Sequence, residues 1–207
     1  MTNFLRFKDD DKAINWYKKA AAQGYAKAMY GVGECYALGK GVKKDEDEAF
    51  KWYKKSAKQG YAEGQCKVAL HYNGAGNKEE AFYWFKKAAE QGDEFSQYKL
   101  GCAYRGGKVV EKYITEAVVW WQKAVAQGFD YAKYELAECY FNGNGVALDK
   151  EKAIALYKDC IDDNAKFKLA ECYLKGDGVK KDVTKAISLL EEIAEYHEKA
   201  STRLVEI

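Results

Sequence analysis

The sequence predicts an all-α fold, a solenoid of about five helix-turn-helix repeats with partial repeats at its ends. Three observations predict it. The pair Gln-Gly recurs as Gln23-Gly24, Gln59-Gly60, Gln91-Gly92 and Gln127-Gly128, at spacings of 36, 32 and 36. Tyr36, Tyr72, Tyr104, Tyr140 and Tyr173 keep the same register. The chain also holds 18 glycines and no proline, so its reversals fall to Gly, Asn and Asp.

The elements follow in order. Residues 9–25 supply only the second helix of a repeat, Asp9 to Gln23, ended by Gly24. Residues 26–61 form the first full unit. Its first helix, Ala26 to Leu38, sets Ala28, Val32, Gly33 and Tyr36 on one face, and Gly33 admits a close neighbour. The turn Gly39-Lys40-Gly41-Val42-Lys43-Lys44-Asp45 uses glycines where φ turns positive and tucks Val42 between the helices. Asp45 stands at the N-cap, with Glu48 in capping-box position. The second helix, Asp45 to Gln59, buries Ala49, Trp52, Tyr53 and Ala57 and stops at Gly60. The series Ala13, Ala49, Ala81, Ala117, Ala153 and Ala186 carries this pattern through every second helix. Trp16, Trp52, Trp84, Trp120, Leu156 and Leu189 accompany it.

Residues 62–93 repeat the unit with a shorter turn, Asn73-Gly74-Ala75-Gly76-Asn77, and residues 94–129 follow. Residues 130–162 restore the long turn at Gly143–Asp149 and lose about three residues around Asp162-Asp163-Asn164, a deletion assigned to a turn because a helix core tolerates it poorly. Residues 163–196 carry the turn Gly176–Asp182, and residues 197–207 close the stack with a helix of the first type. One hairpin cannot bury its apolar face alone, so residues 1–207 read as one elongated domain of twelve helices.

Composition excludes several function classes. A formal net charge of +2 with interspersed signs gives no strong field toward nucleic acid or an acidic membrane. No stretch is apolar enough to span a bilayer, and Met1 to Asp9 lacks a secretory pattern. The expected location is the cytoplasm, although a secreted or host-delivered protein is compatible with the rest of the chain. The cysteines Cys35, Cys66, Cys102, Cys139, Cys160 and Cys172 are expected as free thiols, because the core is large enough without staples. His71 and His197 lie in distant units and no Cys-x-x-Cys occurs, so neither metal nor cofactor is expected. The glycine-rich turns lack the Lys-Ser/Thr pair of a phosphate loop, and no catalytic residue is assigned.

The motif Val32-Gly33-Glu34-Cys35-Tyr36, Gly39-Lys40-Gly41-Val42, Asp45, Ala49, Trp52-Tyr53, Lys55-Ser56-Ala57 and Gly60 resembles the Sel-one-like repeat, a branch of the tetratricopeptide-like solenoids. The resemblance covers about residues 9–207 and implies a right-handed α/α superhelix that scaffolds protein assemblies. Some cysteine-rich relatives carry disulfides between the two helices of a unit. This chain departs from them: Cys35, Cys139 and Cys172 share one repeat position, and no pair recurs across a unit.

In such a stack the first helices line the concave face. The stripe beside each core face runs Lys27, Tyr30, Glu34, Ala37 in the first unit. The matching register yields a candidate protein-binding surface of Tyr30, Glu34, Leu70, Tyr98, Arg105, Tyr131, Tyr134, Glu138, Phe141, Phe167 and Glu171. Tyrosine and arginine are favoured interface anchors. The competing reading has the aromatics packing only between repeats. The expected function is a non-enzymatic scaffold or adaptor holding a protein or peptide. The alternatives are a cell-wall or β-lactam-related hydrolase, as in the cysteine-rich relatives, and a self-assembling structural protein. The oligomeric state does not follow from the sequence, with a monomer as the default expectation.

Overall fold

The computed structural model describes residues 2–207, with side chains from Asp9 onward. The reading of Met1 to Lys8 as no export signal lies outside the described side chains. Twelve helices fill the described residues, and no strand is present among them. They are α1 (Thr2–Ala22), α2 (Ala26–Leu38), α3 (Glu46–Lys58), α4 (Ala62–Gly74), α5 (Lys78–Glu90) and α6 (Glu94–Gly106). They continue as α7 (Ile114–Ala126), α8 (Asp130–Asn142), α9 (Lys150–Lys158), α10 (Asp163–Lys175), α11 (Val183–Ile193) and α12 (Glu198–Val205).

Each long turn is built the same way. Gly39, Gly143 and Gly176 take left-handed φ of 68°, 67° and 71° and end their helices. The following amides of Lys40, Asn144 and Asp177 donate to Cys35, Cys139 and Cys172 carbonyls. The second glycine has another purpose. A Cβ on Gly41 would lie 2.5 Å from the Asp10 carbonyl oxygen, and one on Gly145 would lie 2.9 Å from that of Ile114. The turn thus rests on the preceding repeat through bare backbone. The tyrosine series anchors the far side: Asp45, Asp149 and Asp182 N–H donate to Tyr36, Tyr140 and Tyr173 carbonyls at 3.0, 2.9 and 3.0 Å. The same aspartates cap the next helix, accepting from Glu48 N, Lys152 N and Lys185 N.

Contacts divide the chain into two compact units, Met1–Leu100 and Gly101–Ile207. In the first, Ala21, Ala28 and Val32 pack with Tyr36 and Trp52. Ala49, Tyr53, Ala57 and Val68 form the next layer, and Cys66, Ala69, Ala81, Phe85 and Ala88 another. Gly33 permits the close approach the sequence predicts, since a Cβ there would meet the Tyr53 ring at 2.6 Å. In the second unit, Trp121, Leu136, Tyr157, Leu169, Leu190 and Ile193 are buried.

Several local expectations are corrected. Helix α1 begins at Thr2 rather than Asp9, because no Gly or Pro stands before Gly24 to interrupt it. The tryptophan series is not the core position of the second helices. Trp16 is 69 % exposed, Trp52 and Trp84 are half-buried and only Trp120 is buried, whereas the next position, Tyr53, Phe85, Trp121, Tyr157 and Leu190, is buried in every full unit. It lies i+4 from each series alanine, on the same face of the helix. Ala13 is exposed, since no helix precedes α1 in the described residues to cover it. Glu48 makes no capping box. The Asp45 amide is already bonded to Tyr36, and Glu48 accepts instead from Lys51 Nζ at 2.9 Å. The deletion near Asp162 falls in a helix rather than a turn: α9 has 9 residues against 13 in α3, losing its last turn. All the cysteines are free, and all but Cys102 are buried.

Candidate functional site

In the first unit, Tyr30 is half-buried, its ring against Tyr53 at 5.6 Å and Tyr61 at 5.4 Å. Glu34 accepts from Tyr53 Oη at 2.5 Å and pairs with Lys67 Nζ at 3.0 Å. Burial pushes the Glu34 carboxyl up, but the Tyr53 and Lys67 hydrogen bonds outweigh it and hold the group below the usual carboxylate range. Leu70 lies at the exposed edge of α4, and Tyr98 is half-buried beneath the Lys99 ammonium, 5.6 Å from its ring centre. Tyr30 and Glu34 thus make contacts to the next repeat through Tyr61 and Lys67.

The second unit repeats the device and opens it. Glu138 accepts from Tyr157 Oη and lies 3.7 Å from Lys168 Nζ. Glu171 binds Lys175 Nζ at 2.9 Å and Arg203 Nε at 2.8 Å. Burial raises the Glu171 carboxyl, and the two cations more than reverse that, leaving it below its ordinary value. Arg105 bonds Glu135, with its guanidinium 5.4 Å over the Trp121 ring. Here burial prevails over the cation and raises the Glu135 carboxyl. Burial beside Glu138 pushes Tyr134 up to about 12.

These contacts leave hollows along the first helices of this unit. Arg105, Trp121, Tyr134, Glu135 and Glu138 line one of about 240 Å³. Phe141, Tyr157, Phe167, Lys168, Glu171 and Lys175 line another, of about 210 Å³. Phe167 and Glu171 continue into a third, of about 550 Å³, with Arg203, Thr202 and Lys199. Phe141, Phe167 and Glu171 thus share one furrow with aromatic walls and paired charges on its rim, while Arg105, Tyr134 and Glu138 line a separate hollow that has no lining residue in common with it. Tyr131 is in neither. It projects, 61 % exposed, into a separate hollow beside Ile161.

Sequence reasoning missed Tyr157, Lys168 and Arg203. A signal was present. The glutamates Glu34 and Glu138 each have a tyrosine nineteen residues on, whereas Cys102 and Glu171 have Trp121 and Leu190 there. A buried phenol needs an acceptor, so Cys102 stands where Trp121 removes the phenol, whereas Glu171 is kept opposite Leu190 and pairs with Lys175 and Arg203 instead. Where Trp121 replaces the tyrosine, its indole N–H has no partner among the described residues. His71 stacks on Phe50 at 3.6 Å, and His197 caps α12 by accepting from Ala200 N. Among the described residues no group of His, Cys, Asp and Glu could hold a metal, and no helix is long and apolar enough to cross a membrane. Burial lifts the Cys66 thiol to about 12 and Cys139 and Cys172 to about 11, which suits packing rather than nucleophilic attack.

The Sel1 repeat profile matches residues 5–25, 26–61, 62–93, 95–129, 130–158 and 163–195. No curated protein matches the chain. A protective antigen of uropathogenic Escherichia coli with an SLR fold is 33 % identical, with a TM-score of 0.83 over 95 % of this chain. This chain spans only 44 % of that protein's length. A Sel1 repeat protein from Oxalobacter formigenes is 30 % identical, with a TM-score of 0.81, covering 95 % of this chain and 84 % of its own.

Proposed function

Since the chain belongs to the Sel1 repeat family, whose helical-repeat fold is typical of protein-interaction scaffolds, we propose that it is a non-enzymatic adaptor. On this reading it holds an extended segment of a partner protein in the furrow of its second unit. One observation carries this reading: Phe141 and Phe167 flank a hollow of about 210 Å³ whose rim alternates Lys168, Glu171, Lys175 and Asp177. Aromatic walls supply contact area at little entropic cost, and the rim charges fix register. The rim pairs are already made within the protein: Lys150 with Asp177, Lys175 with Glu171, Arg203 with Glu171. A ligand therefore meets a preorganised surface and orders few side chains on binding.

Affinity capture with the whole protein, read by mass spectrometry and compared with Phe141→Ala/Phe167→Ala, tests the reading. Partners retained by the native protein and lost by the double variant, with helical circular dichroism unchanged, support it. Equal capture by both proteins refutes the furrow as the site.

A further inference from the structure

Ser56 and Cys160 stand at one repeat position. Each reaches back thirty residues to a first-helix carbonyl, Ser56 Oγ to Ala26 at 2.8 Å and Cys160 Sγ to Asp130 at 3.8 Å. Ile161 is therefore the counterpart of Ala57. Ala57 is 2 % exposed, whereas Ile161 is 69 % exposed. The cause is the shortened helix. Helix α3 runs on to Lys58, but α9 stops at Lys158, so the turn that would aim Ile161 inward is missing.

A larger and more apolar residue thus stands in solvent at a place where Ala57 and Ala89 are buried and Val125 is half-buried. Tyr131 stands beside it, its ring 5.6 Å from Phe129. Tyr131 and Ile161 line a hollow of about 230 Å³ with Asp130, Cys160, Asp162 and Asp163. The surroundings are acidic. Lys133 is held by Asp130 at 2.5 Å and Asp159 at 2.7 Å, so that ammonium is matched by two carboxylates. Asp162 uses one oxygen to cap the Asn164 N–H at 2.8 Å, and Asp163 adds a further carboxylate. The start of α10 accounts for Asp162 and Asp163 through the helix dipole. It does not account for Ile161.

We propose that this hollow is a docking patch, separate from the furrow, for a partner-protein segment in which an apolar side chain stands beside lysine or arginine. The apolar group covers Tyr131 and Ile161, and its flanking cations meet Asp162 and Asp163. Contact area and charge come from different residues, so each can be removed alone.

Fluorescence anisotropy with a labelled peptide of alternating Lys and Leu tests the patch, beside Lys-Ser and Glu-Leu analogues at about 50 and about 200 mM salt. The Lys-Leu peptide is expected to bind at least about tenfold more tightly than either analogue. Tyr131→Ser/Ile161→Ser, both surface changes, lowers its affinity about tenfold. Asp162→Asn/Asp163→Asn weakens binding and flattens its salt dependence while asparagine keeps the helix cap. Phe141→Ala/Phe167→Ala leaves this binding unchanged, which separates the patch from the furrow. The proposal is overturned if the Lys-Leu peptide does not bind, binds no better than the Lys-Ser peptide, or responds to the furrow variant and not to the Tyr131/Ile161 one.

Discussion

A phenol enclosed between helices must find an acceptor, and a carboxylate enclosed with it must find donors. Glu138 and Tyr157 meet both needs at once, with Lys168 on the open side. Removing Glu138 leaves a buried hydroxyl unpaired, so Glu138→Ala is expected to cost about 1–3 kcal/mol in urea unfolding. Tyr157→Phe removes the need along with the bond and is expected to cost about 1 kcal/mol. The double variant then loses less than the sum, a coupling that a double-mutant cycle reads directly. Acid acts on the same kind of residue through Glu171. Its folded carboxyl lies below the ordinary value because Lys175 and Arg203 outweigh burial. Its stabilising contribution is thus complete above the unfolded carboxyl range of about pH 4.3 and disappears as pH falls through the lower folded value. Glu171→Gln should flatten the acid limb of a stability profile below about pH 5 and leave its slope near neutrality unchanged.

At the scale of elements, capping and glycine placement decide most. Helix α9 has only 9 residues and starts on Asp149, whose carboxylate accepts from Lys152 N at 2.9 Å. Asp149→Ala is expected to cost about 1 kcal/mol, and Asp149→Asn a few tenths, measured by thermal unfolding. Two glycines give opposite outcomes. Gly145 has φ +72° and backbone 2.9 Å from where a Cβ would stand, so Gly145→Ala should destabilise by about 2 kcal/mol. Gly74 ends α4 with nothing within 4 Å, so Gly74→Ala should stabilise by about 0.5 kcal/mol. Equal effects of the two substitutions would contradict the assignment of Gly145 to inter-repeat contact.

For the whole molecule, the principal contacts within each unit join successive helices, α1 to α2 through α4 to α5 in the first and α7 to α8 through α11 to α12 in the second. Stability in such a chain is local and nearly additive between neighbours. Hydrogen exchange should therefore show Gly145→Ala loosening α7 and α8 while α2 and α3 keep their protection. The sequence by itself determined the helix-turn-helix period, the aspartate caps of the long turns and the glycine ends, because these depend on residues a few positions apart and recur in several copies. It also marked Arg105, Tyr134, Glu138, Phe141, Phe167 and Glu171 as one stripe, since helical periodicity places them there. Only the tertiary structure decided that Tyr53 and Phe85 are buried while Trp52 and Trp84 beside them stay half-exposed, because both positions are equally apolar in sequence. It alone set Tyr131 apart with Ile161, since the outward turn of Ile161 depends on where α9 ends in three dimensions. A repeat pattern specifies which face is oily; what covers that face depends on the helix packed against it.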